Sequence, residues 1–174
     1  MSSVPKILAF AGSARKESWN KKLIEHAAQL TKDAGAEVTV IDLADYELPL
    51  FNQDLEADGV PENASALKKL FVDHDALLIA APEYNSSITP LLKNTIDWVS
   101  RPDDNYQMLQ CFQGKSAALL SASPGGWGGM RGLVHLRDIL GNIGVTLVPS
   151  EVAVSQAHEA FDEEGQLQDE GTAK

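Results

Sequence analysis

An α/β fold built on one five-stranded parallel sheet is predicted by three features of the sequence. Apolar runs of strand length alternate with amphipathic stretches of helix length, and that alternation produces parallel strands joined by right-handed crossovers. Two of the runs, 75–81 and 115–122, are apolar at almost every position, as expected of strands covered on both faces. Five such runs in 174 residues suit the strand order 2-1-3-4-5 better than the six strands of a dinucleotide-binding sheet.

The first strand covers 6–11 (Lys6-Ile7-Leu8-Ala9-Phe10-Ala11). A helix over 20–34 follows, with Leu23, Ile24, Ala27, Ala28 and Leu30 on one side and Gly35 just past its end as a stop. Strands over 37–43, 75–81, 115–122 and 144–149 then alternate with helices over 63–73, 90–100 and 129–143. Thr89 and Pro90 open the third helix as N-cap and first-turn proline. Residues 44–62 form the longest irregular stretch, and loops of that length inside compact domains usually carry function or are disordered. From Ser155 to Lys174 the chain is polar and acidic, with a turn at Asp162-Glu163-Glu164-Gly165. Little there could form the helix that normally closes such a sheet. With no internal repeat and no linker, one domain over 1–174 is expected, with 155–174 as a polar tail.

A formal net charge of −11 repels nucleic acid and anionic membrane, and no basic stripe offsets it. An anionic ligand must therefore rely on local donors set against the global field. Cys111 is the single cysteine, so no intrachain disulfide forms and no thiolate metal site can be built. A reducing, cytoplasmic compartment and a structural thiol follow as expectations. His26, His74, His135 and His158 lack ligand spacing, which argues against a metal. No apolar run approaches the roughly 20 residues of a membrane span.

Ligands of an open parallel sheet bind beyond the carboxyl ends of its strands, at the switch point between the first and third. Three unusual loops converge there. The first, Gly12 to Asn20, carries Ser13, Arg15, Ser18 and Asn20 onto a helix N-terminus. Backbone N–H groups and the helix dipole favour an anion at such a place. The loop reads either as a phosphate cradle or as a solvated loop capped by Ser18 or Asn20. It lacks the glycines of G-x-G-x-x-G and any Gly-Lys-Ser/Thr step, so a terminal monophosphate suits it better than a pyrophosphate. Asp42, at the end of the second strand, reads as a turn residue. The second loop runs Pro82-Glu83-Tyr84-Asn85-Ser86-Ser87-Ile88-Thr89-Pro90 and places an aromatic ring and an amide beside the switch point. It reads either as a seat for a planar hydrogen-bonding ring or as an ordinary strand-to-helix turn. The third runs Ser121-Ala122-Ser123-Pro124-Gly125-Gly126-Trp127-Gly128-Gly129-Met130-Arg131, and its glycines either let backbone lie against a ligand or simply make a flexible loop. Trp127 is either a lid or surface.

Ser13-x-Arg15-x-x-Ser18-x-Asn20-x-x-Leu23, with Pro82-Glu83-Tyr84-Asn85 and Leu92-Lys93-Asn94-x-x-Asp97-Trp98, resembles the NAD(P)H-dependent FMN reductase family, which includes quinone and chromate reductases. Leu48-Pro49-Leu50-Phe51-Asn52-Gln53-Asp54 and Ala157-His158-Glu159-Ala160-Phe161-Asp162 extend the likeness over nearly the whole chain. The resemblance implies a flavodoxin-like three-layer sandwich. It also implies bound FMN, with its phosphate held by Ser13, Arg15, Ser18 and Asn20. Pro82, Glu83, Tyr84 and Asn85 would lie along the isoalloxazine, and Ser123 with Gly125 would approach its other edge. NADPH or NADH would be the electron donor and a small molecule the acceptor, by ping-pong kinetics with no catalytic side chain. Members are homodimers or homotetramers, with the helix carrying Asp97 and Trp98 near the subunit contact.

A flavodoxin-type electron carrier would share fold, flavin and acidity, but would not oxidise NAD(P)H by itself. A signalling receiver domain is excluded, because its acidic pair and phosphoacceptor Asp would fall at Gly12-Ser13 and Pro82-Glu83. Lys93 and Asp97 are spaced to pair on a helix surface. Arg101 is expected to face the acceptor or a neighbouring subunit.

Overall fold

The computed structural model describes residues 4–162 and 165–168. Strands β1 (Lys6–Ala11), β2 (Glu37–Asp42), β3 (Ala76–Ala80), β6 (Ser116–Ala122) and β7 (Thr146–Val154) form one parallel sheet in the order β2-β1-β3-β6-β7. That is the 2-1-3-4-5 arrangement once the short hairpin strands β4 (Glu83–Tyr84) and β5 (Ser87–Ile88) are set aside. Helices α1 (Trp19–Asp33), α3 (Glu62–Asp73), α4 (Pro90–Val99) and α5 (Met130–Asn142) lie within a residue of the predicted bounds.

Side chains alternate between two cores, as strand geometry requires. Leu8, Phe10, Leu77, Ile79, Ala117 and Leu119 join one cluster, with α3, α4 and α5. Ala9, Ala11, Leu78, Ala80, Leu120 and Ala122 face the other way, against Leu23, Ile24 and Ala28 of α1. The α1 side is rich in alanine near the carboxyl edge, and this lets the start of α1 sit close to the strand ends.

Three predicted elements differ. Strand β7 runs past Pro149 to Val154, where 144–149 was expected. The proline is absorbed by a register shift opposite Ala117 and Leu119, on an edge strand where a missing N–H is tolerated. The stretch 44–62 contains α2 (Gln53–Asp58), capped by the Asn52 side chain accepting from the Asp54 N–H at 2.9 Å. The tail is no free appendage over its first part. Short helix α6 (Ala157–Ala160) and Phe161 pack on α1, with Ala157 and Phe161 buried and Phe161 stacked on Trp19 at 5.7 Å. Asp162 and Gly165 do make a turn, through Gly165 N–H to Asp162 C=O at 3.1 Å. Glu163, Glu164 and 169–174 lie outside the described residues.

Two motif segments prove to be scaffolding. Asn94 accepts from the Phe51 N–H at 2.8 Å and donates to Pro49 C=O at 3.0 Å, while Trp98 Nε1 donates to the same carbonyl at 2.8 Å. Together they fasten the 44–52 loop to α4. Trp98 is fully buried in its own chain. Cys111 is buried, and burial pushes its thiol up to about 11. Among the described residues no helix is long and apolar enough to cross a membrane, and no cluster of three or more metal-ligating side chains occurs.

Candidate active site

The strand ends and their loops leave a cleft of about 120 Å³ at the carboxyl edge, lined by Ser13, Arg15, Ser18, Asn20, Pro82, Glu83, Tyr84 and Ser123. Eight of the ten residues singled out in the sequence therefore share one cavity. Trp19, Ala122 and Pro124 also line it; each directly adjoins a named residue, and that adjacency was the available signal. Asn85 and Gly125 are not on its wall.

Ser18 occupies the N-cap of α1 with extended backbone, yet its side chain makes no capping bond, and no acidic residue stands in the first turn. The first N–H groups of a helix have no partner within it. At this helix start the buried Ser13 and Ser18 both line the cleft, and the Lys21 and Lys22 N–H groups donate back to Ser18 C=O at 3.0 and 3.2 Å. Ser13 Oγ accepts the Arg15 N–H at 3.3 Å, which shapes the loop. Arg15 itself is exposed, and its guanidinium donates to Glu17 C=O at 2.6 Å.

Asn20 lines the cleft and also carries a structural part. Its Nδ2 donates to Ala122 C=O at 2.8 Å and its Oδ1 accepts the Ala122 N–H at 3.0 Å, all buried. One side-chain N–H remains unused. Asn20 is thus first a strap between the start of α1 and the end of β6, closing the two sides of the cleft at a fixed width.

Glu83 and Tyr84 belong to a hairpin unforeseen in the sequence. Asn85 (φ 51°) and Ser86 (φ 66°) are both left-handed, the mark of a two-residue I′ turn that matches strand twist. The turn places Asn85 at the tip, beyond the cleft, and leaves Tyr84 half exposed at its rim. The Glu83 carboxylate turns toward α5, where it accepts from the N–H groups of Arg131 (3.1 Å) and Gly132 (3.3 Å).

In the glycine-rich loop the two halves differ. Gly129 stands at φ +91°, and a side chain there would meet Ser121 Oγ. Around Gly126 the space is open. The Gly125 N–H is held by Ser123 Oγ at 3.2 Å, so it is not free to face a ligand in this arrangement. Trp127 is exposed and does not line the cleft.

Asp42 is a turn residue, as read. Burial raises its carboxyl, but the hydrogen bond and charge of Lys21 and the Ala44 N–H outweigh this and hold it below the usual range. Lys93 pairs with Asp97 at 2.7 Å. Arg101 does not line the cleft. It forms a two-pronged pair with Glu56, at 2.7 and 2.9 Å, and lies over the Phe51 ring. A larger cavity of about 410 Å³ beside that pair shares no residue with the cleft.

Comparison with known proteins bears on the cleft's chemistry. Residues 5–159 match the family model for NADPH-dependent FMN reductase. A NAD(P)H-dependent FMN reductase of Pseudomonas aeruginosa is 40% identical over 172 residues, covering 98% of this chain and 88% of that one. A NADPH:quinone oxidoreductase of Arabidopsis thaliana is 36% identical over 173 residues, covering 96% and 84%. Among solved structures, FerB, a flavoenzyme NAD(P)H:(acceptor) oxidoreductase from Paracoccus denitrificans, superposes with a TM-score of 0.80 at 35% identity, covering 98% and 90%.

Proposed function

The chain belongs to the NADPH-dependent FMN reductase family, and from that premise we propose that its cleft holds FMN and serves electron transfer from NAD(P)H to quinones and similar small acceptors. The observation that carries this reading is the uncapped start of α1, with two buried hydroxyls beside it and no acid in its first turn. A phosphate monoester fits that donor set, and a carboxylate-bearing side chain would have spoiled it. When bound, FMN supplies the two-electron carrier, with NAD(P)H oxidised to NAD(P)⁺ and a quinone taking two electrons and two protons to become its hydroquinone.

The chain's own contribution is binding and orientation. Ser13 and Ser18 offer hydroxyls to the phosphate, and the helix end supplies N–H groups. Arg15 exchanges its single exposed bond to Glu17 for the phosphate. The backbone of Pro82 to Asn85 flanks the ring, with Tyr84 at the open face where donor and acceptor alternate. Ser123 and the Gly125-Gly126 backbone border the opposite edge once the Gly125 N–H is released from Ser123. No side-chain acid or base is needed. The single buried thiol and the absence of a disulfide agree with a cytoplasmic setting. We assign a dimer or tetramer in which the partner covers the segment bearing Leu50, 79% exposed, and Leu55.

The deciding observation is the visible spectrum of the purified protein before and after anaerobic NADPH. A yellow protein that bleaches supports a reductase. A yellow protein that bleaches only with an added reductase is a carrier, and one that cannot be loaded with FMN ends the proposal. Arg15→Ala is expected to weaken FMN binding roughly tenfold, the value of one hydrogen bond to a charged group at an exposed site. Equilibrium titration of flavin fluorescence measures this.

A further inference from the structure

Glu83 is buried at the cleft wall with its side chain 8% exposed, yet its carboxylate is spent entirely on α5. Oε2 accepts from the backbone N–H groups of Arg131 and Gly132, and Oε1 pairs with the Arg131 guanidinium at 2.5 Å. The hairpin can lie this close because α5 opens with glycines. A side chain at Gly132 would stand 3.2 Å from Ser87 C=O and 3.4 Å from Glu83 Cβ. The loop that flanks the flavin and the helix that follows the glycine-rich loop are therefore joined through one carboxylate.

That carboxylate also carries charge. The first turn of a helix holds about half a positive charge, which favours an anion nearby. Glu83 occupies this end of α5 with a full negative charge, countered by an arginine whose side chain is 59% exposed. We infer that Glu83 is a positioning residue for the flavin loop and, by masking the start of α5, sets how strongly the cleft prefers reduced over oxidised FMN. The inference rests on the FMN reading above. The reduced cofactor gains negative charge that the oxidised form lacks. A masked helix end stabilises that charge less, which keeps the bound flavin a willing donor to its acceptor.

The test is the two-electron midpoint potential of FMN-loaded protein for wild type, Glu83→Gln and Arg131→Gln, alongside FMN affinity. Glutamine at 83 retains an oxygen for the two backbone N–H groups and removes the charge. Glu83→Gln is expected to raise the preference for reduced FMN about tenfold, equal to about 30 mV for a two-electron couple. Arg131→Gln leaves the carboxylate less countered, and the potential is expected to move the other way. A Glu83 that is only a helix cap would leave both potentials at the wild-type value, and that result, or shifts of the same sign, overturns the inference. Should Glu83→Gln fail to fold, the sign of the Arg131→Gln shift decides alone. Wild-type protein that binds no FMN would instead defeat the underlying reading.

Discussion

Asp103→Ala is expected to lower the free energy of unfolding by about 3–5 kcal/mol, the cost of leaving a buried charge without its partner. Lys68, in the middle of α3, has no exposed side-chain surface, and its ammonium reaches Asp103 Oδ2 at 3.0 Å. Asp103 is 8% exposed in its side chain and also accepts from the N–H groups of Asn105 (2.8 Å) and Tyr106 (2.9 Å). Removing it therefore strands one cation and two backbone donors. The double variant Lys68→Met/Asp103→Asn should recover most of the loss, because neither unpaired charge remains. Urea unfolding measures both, and an Asp103→Ala protein as stable as the parent would show that Lys68 finds water or another anion.

The same pair fixes an acid limb. Burial raises the Asp103 carboxyl, but the Lys68 hydrogen bond, the two N–H groups and the Lys68 charge outweigh it and hold it below the ordinary range. A carboxyl depressed on folding adds stability that is fully present above its unfolded value, near 4. That stability is lost as pH falls through the lower folded value. The gap between wild type and Asp103→Ala should accordingly be constant above about pH 5 and shrink in stronger acid.

Neither role was legible in the sequence, and the reason is distance along the chain. Period-two and helical patterns are local, so four of the five sheet strands and the four long helices could be placed within a residue from Leu8, Leu23, Leu78 and their neighbours alone, while the proline inside the last strand hid its second half. The side-chain partners could not. Asn20 meets Ala122, and Glu83 meets Arg131 and Gly132, across separations of 102, 48 and 49 residues. A polar residue in a loop gives the same local signal whether it faces a ligand or another loop. That is why the strapping bonds of Asn20 and Glu83 could not be read beside their place on the cleft wall. The hairpin escaped for a different reason. Its strands are two residues long, and Asn85-Ser86 lacks the glycine that usually announces a I′ turn. Helix α2 is too short to show a period, and the packing of 157–161 on α1 rests chiefly on Ala157 and Phe161 within a polar stretch.

What the sequence did mark, the chemistry of the first loop, is open to a direct contest between capping and binding. Ser18→Asp is expected to stabilise the flavin-free protein while weakening FMN binding about 100-fold. The N-cap has the extended backbone a capping side chain needs, φ −85° and ψ 125°, and Ser18 leaves the role unused. An aspartate there caps the helix and meets its dipole, worth about 0.3–1 kcal/mol. The same carboxylate would stand where the phosphate is proposed to sit. Two unit charges about 4 Å apart repel by about 4 kcal/mol at an effective dielectric of 20. Solvent and salt reduce this, and about 2.7 kcal/mol suffices for the hundredfold loss. Ser18→Asn separates the terms, since it caps without charge and should lose far less affinity. Thermal unfolding of the flavin-free variants and fluorescence titration with FMN give the two readouts. An aspartate variant that binds FMN as tightly as the parent would place the phosphate elsewhere, whereas a loss of affinity with raised stability is the signature of an anion site at the start of α1.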